Sequence, residues 1–269
     1  MATPIGHLGD ITLRALEVLR AVPLIAAEDT RSARKLLAHF EIRAPRLASY
    51  NEHSASTRTP ALLRALEDGD VALVSDAGMP GISDPGYDLV VAAVAAGHTV
   101  VPVPGASAVV AAVAASGLPS RRFHYLGFLP RQAGPRRRAL AAAGASGDTL
   151  VVYESPHRVR ATLADALAAL GDRRIAVARE LTKLHEEIWR GTIAGAIAHF
   201  GEPRGEFTLV IEGGPSTVAA LARGGGGVAA AIARLRADGF GAKEGVAALM
   251  SEFGLSRRAA YAAWHRPPR

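Results

Sequence analysis

Most of the residues able to do chemistry fall in three loops in the first half of the chain. The longest runs Ser75-Asp-Ala-Gly-Met-Pro-Gly-Ile-Ser-Asp-Pro-Gly86. It follows an apolar strand pattern and precedes a helical one, so it sits at the carboxyl end of a strand, where open α/β sheets take their ligands. Its glycines let the backbone approach a ligand closely, and its prolines stiffen the loop. Val103-Pro-Gly-Ala-Ser-Ala108 repeats that setting, and Thr3-Pro-Ile-Gly-His7 stands before the first helical pattern. Any one of them also reads as a tight strand–helix turn. Three together point to a shared ligand cleft. G-x-G-x-x-G and G-x-x-x-x-G-K-[ST] are both missing from these loops, which argues against a usual dinucleotide or triphosphate site.

Charged residues supply the other candidates. Glu28 and Asp29 follow the apolar run Leu24-Ala27 and are placed to project into the cleft. Carboxylates there equally suit the N-terminus of a helix over Arg31-Phe40. Lys183 serves as a base if desolvation lowers its pKa. Glu180 and Glu186 pair as readily with Arg179, Lys183 or Arg190 on a solvated face. His157 reads as a polar first-turn residue. With no Cys, no H-E-x-x-H and no ligand spacing among the histidines, no metal is expected. Arg121, Arg122, Arg131, Arg136, Arg137 and Arg138 lie within eighteen residues that contain no acid. Such uncompensated charge near a domain joint suits phosphate binding, and a solvated Arg face is the alternative. Arg257, Arg258, Arg266 and Arg269 add charge at the C-terminus.

The elements that must position these residues are strands alternating with helices. Apolar runs at Leu24-Ala27, Val71-Ser75, Thr99-Val103, Phe123-Gly127, Leu150-Tyr153, Ile175-Ala178, Glu187-Gly191 and Glu206-Ile211 read as strands. Helical spacing marks Ile11-Ala21, Thr57-Glu67, Tyr87-Ala96 and His157-Leu170. That alternation predicts an α/β fold with largely parallel sheets, the last two strands pairing differently. Turn formers at Ser116-Ser120 divide the α/β region into 1–118, holding the loops, and 119–213. A Gly-rich linker follows over 214–227 and a helical segment over 228–269, which reads as helix Ala242-Phe253, tight turn, then helix Arg257-Trp264 with Ser256 as N-cap. Of 269 residues, 49% are hydrophobic and 21% charged, which excludes a disordered chain. The net charge of +6 weakly favours a polyanionic partner, while only 5% aromatic residues argue against a stacking platform for single-stranded bases. There is neither a membrane-length apolar run nor a signal-peptide pattern, so a cytoplasmic protein without membrane contact is expected.

Thr3-Pro-Ile-Gly, Ala27-Glu-Asp-Thr-Arg31, the Ser75–Gly86 loop, Pro104-Gly-Ala-Ser-Ala108, Tyr153-Glu-Ser-Pro-His-Arg158 and Ala178-Arg-Glu-Leu-Thr-Lys183 occur in that order. Over residues 2 to 213 the chain resembles the small-subunit ribosomal RNA methyltransferases of the tetrapyrrole methylase superfamily. The resemblance implies two α/β domains of that type with a cleft between them, forming a homodimer. It implies S-adenosylmethionine as donor and 2′-O-methylation of a cytidine ribose in the decoding region of 16S rRNA, presented as RNA or as the small ribosomal subunit. By the same resemblance the donor touches Pro4, Ile5, Asp76, Ala77, Gly78, Met79, Ile82, Gly105, Ser107 and Ala108, with Tyr153, Arg179 and Thr208 from the second domain. The chain departs from the pattern in carrying His7 for the usual Asn and Gly78-Met79-Pro80 for the Gly-Asp-Pro of the small-molecule methylases. It also opens at Met1-Ala2, where the family has a short apolar strand; a sheet lacking that strand leaves backbone groups unpaired at about 1–3 kcal/mol each when buried. A corrin methylase of the same fold and a non-catalytic RNA-binding assembly factor are the rival readings.

Overall fold

The computed structural model describes residues 1–43, 45–214 and 227–265, with its strands divided between two sheets. The first is parallel, in the order β2 (Arg46–Ser49), β1 (Leu24–Ala27), β3 (Val71–Val74). All four residues of β1 are buried, as a central parallel strand covered on both faces requires. Ile25 and Ala27 join one apolar cluster with Leu19 and Leu37. Leu24 and Ala26 join another with Tyr50, Leu62 and Leu89. Those leucines come from α1 (Leu13–Ala21), α2 (Thr30–His39), α3 (Ala55–Asp68) and α4 (Tyr87–Ala95) respectively.

The second sheet runs β4 (Phe123–Phe128), β5 (Thr149–Glu154), β8 (Phe207–Ile211), β6 (Arg174–Arg179), β7 (Glu187–Thr192). Its β4–β5 pair is parallel and the other pairs are antiparallel. The late strands therefore pair differently, as the sequence suggests: a turn with no helix joins β6 to β7, and after the short α8 (Ile193–His199) β8 enters antiparallel between β5 and β6. Two-residue periodicity sorts the side chains. Leu150, Val152, Ile175, Val177, Leu209 and Ile211 face α6 (Ala133–Gly144), α7 (Val159–Leu170) and α8, while Val151, Ala176, Ala178 and Val210 face Val109, Ala112 and Val113 of α5 (Ala108–Ser116). Burying each such Leu, Ile or Val contributes about 1.5–3 kcal/mol. Although α5 precedes the Ser116–Ser120 turn, it packs on the second sheet.

Two expectations need correction. Thr99–Val103 is not a strand. Val103 carbonyl accepts from Ala2 N–H at 3.0 Å, but Val100 and Val101 stand exposed, and extended chain without a ladder partner is not a strand. β2, conversely, escaped the sequence reading. It is four residues long, starts with Arg and pairs along one edge only, so neither an apolar run nor alternation marks it.

The C-terminal helices α9 (Gly227–Ala237), α10 (Ala242–Phe253) and α11 (Arg257–His265) pack around Leu235, Leu249 and Trp264. Ser256 Oγ accepts from Ala259 N–H at 3.2 Å, the expected cap. Most of the Gly-rich stretch (215–226) and the expected basic residues Arg266 and Arg269 lie outside the described residues. No helix among the described residues is long and apolar enough to cross a membrane.

Candidate active site

A cavity of about 450 Å³ lies between the two halves of the chain. The first half of the chain contributes Ile5, the stretch Ala77–Met79, Ile82–Asp84, and Ser107 with Ala108. The second contributes Phe128, Tyr153–Pro156, Ala178, Leu181 and Glu206–Thr208. Gly78 sits at φ 75°, and a Cβ there would be 3.7 Å from Ile5 Cγ2; an L side chain is strained in that conformation. Thr3 and Gly78 form an antiparallel bridge, which fastens the N-terminal loop onto the long one.

The two halves are also held together away from the cavity. A Cβ on Gly6 would lie 2.6 Å from both Thr182 Oγ1 and Lys183 Cγ, so only glycine lets the first loop lie against the turn after β6. His7 N–H donates to Thr182 Oγ1 at 3.0 Å. Glu180 and Thr182 adopt positive φ, 51° and 64°, costs that surrounding contacts must offset. Thr182 N–H donates to Glu186 at 2.6 Å.

Carboxylates dominate the electrostatics of the cleft. Burial pushes Asp84 up to about 6, reinforced by repulsion from Glu28, Asp76 and Glu206 and opposed by a hydrogen bond from Ser75. Burial also raises Glu28, partly countered by Asp76 N–H, which donates to Glu28 Oε2 at 3.2 Å. The Tyr153 and Tyr125 phenols are held above their ordinary range, chiefly by burial. Glu154, fully enclosed, accepts from Ser155 N–H at 2.9 Å and Thr162 Oγ1 at 2.7 Å, so it anchors the start of α7.

The expected donor contacts divide into three groups. Ile5, Ala77, Gly78, Met79, Ile82, Ser107, Ala108, Tyr153 and Thr208 line the cavity. Pro4 and Asp76 line a neighbouring one. Gly105 and Arg179 line neither. A Cβ on Gly105 would sit 2.9 Å from Ala2 Cβ, so glycine lets the loop pack against Ala2. Arg179 turns to Arg204 carbonyl (2.7 Å) and Glu187 (3.3 Å). The sequence reading passed over Ser83, Asp84 and Glu154–Pro156, although they lie within the quoted motifs. Phe128 carried no signal at all.

The proposed catalytic side chains fare differently. Asp29 caps α2, accepting from Arg31 N–H at 2.8 Å. The Arg31 guanidinium and backbone hold its carboxyl down at about 2, which makes it a poor proton acceptor. Glu28 lines neither cavity; it accepts from Asp76 N–H of the long loop and acts on Asp84 through its charge. Burial alone would lower the Lys183 pKa, but ion pairs with Glu180 (2.9 Å) and Glu206 (2.8 Å) outweigh it and the net shift is upward. The condition under which Lys183 would act as a base is therefore not met.

Three of the six arginines have acidic partners. Arg136 is buried, 2.7 Å from Asp165 through Nε and bonded to Arg131 carbonyl. Arg122 pairs with Asp148 at 2.9 Å, and Arg137 lies 3.7 Å from Asp165. Arg121, Arg131 and Arg138 are exposed. Acids supplied by more distant sequence, on α7 and ahead of β5, account for the difference.

Comparison with known proteins gives this site a family. Residues 2–197 match the model of the Tetrapyrrole (Corrin/Porphyrin) Methylases. The chain is 49% identical over 216 residues to a ribosomal RNA small subunit methyltransferase I of Halalkalibacterium halodurans, covering 79% of this chain and 74% of that one. It is 50% identical over 217 residues to the protein of that name in Synechocystis sp., covering 79% and 77%. Among solved structures, uroporphyrin-III C-methyl transferase from Thermus thermophilus, complexed with S-adenyl homocysteine, shares the fold at a TM-score of 0.55 and 20% identity, over 78% of this chain and 94% of that one. The chain thus belongs to the tetrapyrrole (corrin/porphyrin) methylases and, within them, to the family of ribosomal RNA small subunit methyltransferase I.

Proposed function

We propose that the chain is an S-adenosylmethionine-dependent methyltransferase acting on the 2′-oxygen of a cytidine ribose in the decoding region of 16S ribosomal RNA. The observation that carries the reading is the cavity between the two halves of the chain, where the loops bearing Ile5, Gly78 and Ser107 meet the β5 and β8 ends. The names of the curated relatives support ribosomal RNA as the substrate.

The cavity suits the donor on its own terms. Its volume falls in the range of small-molecule sites. Ile5, Met79, Ile82 and Leu181 offer apolar wall to a nucleoside and a methylene chain, and Asp84 offers negative charge to a sulfonium. When bound, S-adenosylmethionine supplies the methyl group: the acceptor oxygen bonds that carbon as the carbon–sulfur bond breaks, its electron pair staying on sulfur. The chain's own contribution is to align acceptor and donor and keep water out. Asp84 takes the hydroxyl proton, because its pKa of about 6 is better matched to that task than an ordinary carboxylate. Lys183 keeps its charge and fixes Glu206 in the cavity wall.

Exposed Arg121, Arg131 and Arg138, with Arg257 and Arg258 on α11, contact RNA phosphates. The enzyme works in the cytoplasm as a homodimer of two-domain subunits. Tyr87, Val91 and Val94, one face of α4, are 71%, 48% and 60% exposed, an apolar surface suited to a second subunit. The test is mass spectrometry of 16S rRNA from unmodified small subunits incubated with the purified chain and labelled donor. A label on a cytidine ribose supports the proposal; a label on a base, or none, overturns it.

A further inference from the structure

A second cavity, of about 370 Å³, lies directly beside the first. Ile5, Ala77 and Glu206 wall both, so the two spaces meet across those three residues. Both have largely apolar walls, but the second adds cations: beside Leu8, Leu36 and Val74 stand Lys35 and Lys183, with Asp76 and Ser32. Lys183 is committed to Glu180 and Glu206. Lys35, on α2, is exposed, with no carboxylate at ion-pair distance among the described residues.

These features select a ligand class. A space of this size accepts one nucleotide but neither a stacked strand nor a corrin macrocycle, so a target base must leave its stack to enter. The apolar wall suits the face of a sugar and base, Asp76 and Ser32 suit their polar edges, and Lys35 suits a phosphate. We infer that the second cavity is the acceptor pocket: it holds a single nucleotide drawn out of the RNA, sugar toward Ile5 and Ala77, phosphate toward Lys35. This rests on the methyltransferase reading above and adds where, and in what form, the RNA presents its target. The pairing of Lys183 with Glu206 is then a positioning device, because it stiffens the wall common to both ligands.

The test fills the pocket and reads three quantities. Ser32→Trp places an indole in the second cavity and leaves the first untouched. The inference expects donor affinity by calorimetry to stay within about threefold, co-sedimentation with small ribosomal subunits to persist, and methyl transfer to fall by about 100-fold, since the acceptor can no longer reach its place. Lys35→Ala is the second variant; the side chain is exposed, so folding survives even if Ser32→Trp does not fold. Its KM for subunits should rise and the salt slope of RNA binding should drop by about one, at unchanged kcat. Ser32→Trp transferring at the wild-type rate, or losing donor affinity together with transfer, overturns the inference. So does Lys35→Ala with unchanged KM and salt slope. A wild-type chain that modifies no subunit instead overturns the underlying reading, which separates the two failures.

Discussion

Ser83 Oγ lies 2.6 Å from the Tyr125 hydroxyl and so ties the long loop of the first half to β4 of the second sheet. Ser83 is held at φ 63°, an uncommon conformation for a residue with a side chain, and the β4–β5 register shifts between Tyr125 and Phe128 beside it. Tyr125 also meets Tyr153 edge to face, ring centres 5.2 Å apart. Ser83 and Tyr153 both line the cavity, so the contact sits behind its wall. Tyr125→Phe keeps the ring and removes the link. We expect about 1 kcal/mol lost from the denaturant midpoint and weaker donor binding by calorimetry. Combined with Ser83→Ala, the losses should fall short of additive, as they do when both changes break one contact.

Asp84 gives a pH prediction with an unusual sign. Folding raises its pKa from the ordinary 3.8 to about 6. Between those values the folded chain holds a proton that the unfolded chain has released, so stability falls as pH rises through this window and stays lower above it. Asp84→Asn should therefore raise the melting temperature above pH 6, with the advantage closing as pH drops below 3.8. The same change should weaken donor affinity and transfer, because it removes the half-buried carboxylate from the cavity wall. Melting curves across the pH range check the first part and calorimetry the second.

Two neighbouring arginines should behave oppositely. Arg136 is buried against Asp165, and truncating one partner of such a pair strands the other charge at about 3–5 kcal/mol. Arg136→Ala is expected to lower stability steeply. Arg138 is exposed, and Arg138→Ala should leave the melting temperature unchanged while weakening RNA binding and flattening its salt dependence. Equal stability losses from the two variants would contradict this division.

That contrast shows what sequence can and cannot convey. The Ser75–Gly86 loop was legible because its glycines, prolines and carboxylates lie together and follow a strand, and the α/β alternation was legible from apolar spacing. Within the arginine run, the counter-ions of Arg122, Arg136 and Arg137 could not be read, because Asp148 and Asp165 come from outside the run. Phe128 and Tyr125 carried no mark, since one aromatic in a short strand looks the same in a core or a ligand wall. Lys183 lines the second cavity, but the sign of its pKa shift depends on Glu180 and on Glu206, twenty-three residues away. Pairings set by topology stay hidden; clusters set by one loop do not.

The central claim is that the space between the two halves of the chain holds the methyl donor, and S-adenosylhomocysteine titrated calorimetrically into the wild-type chain and Ala77→Trp tests it most directly. Ala77 is exposed in the cavity wall, so the indole fills the space without disturbing a core. The account predicts one site per chain in the wild type, no measurable heat in Ala77→Trp, and equal melting temperatures for the two. Undiminished binding to Ala77→Trp would contradict it.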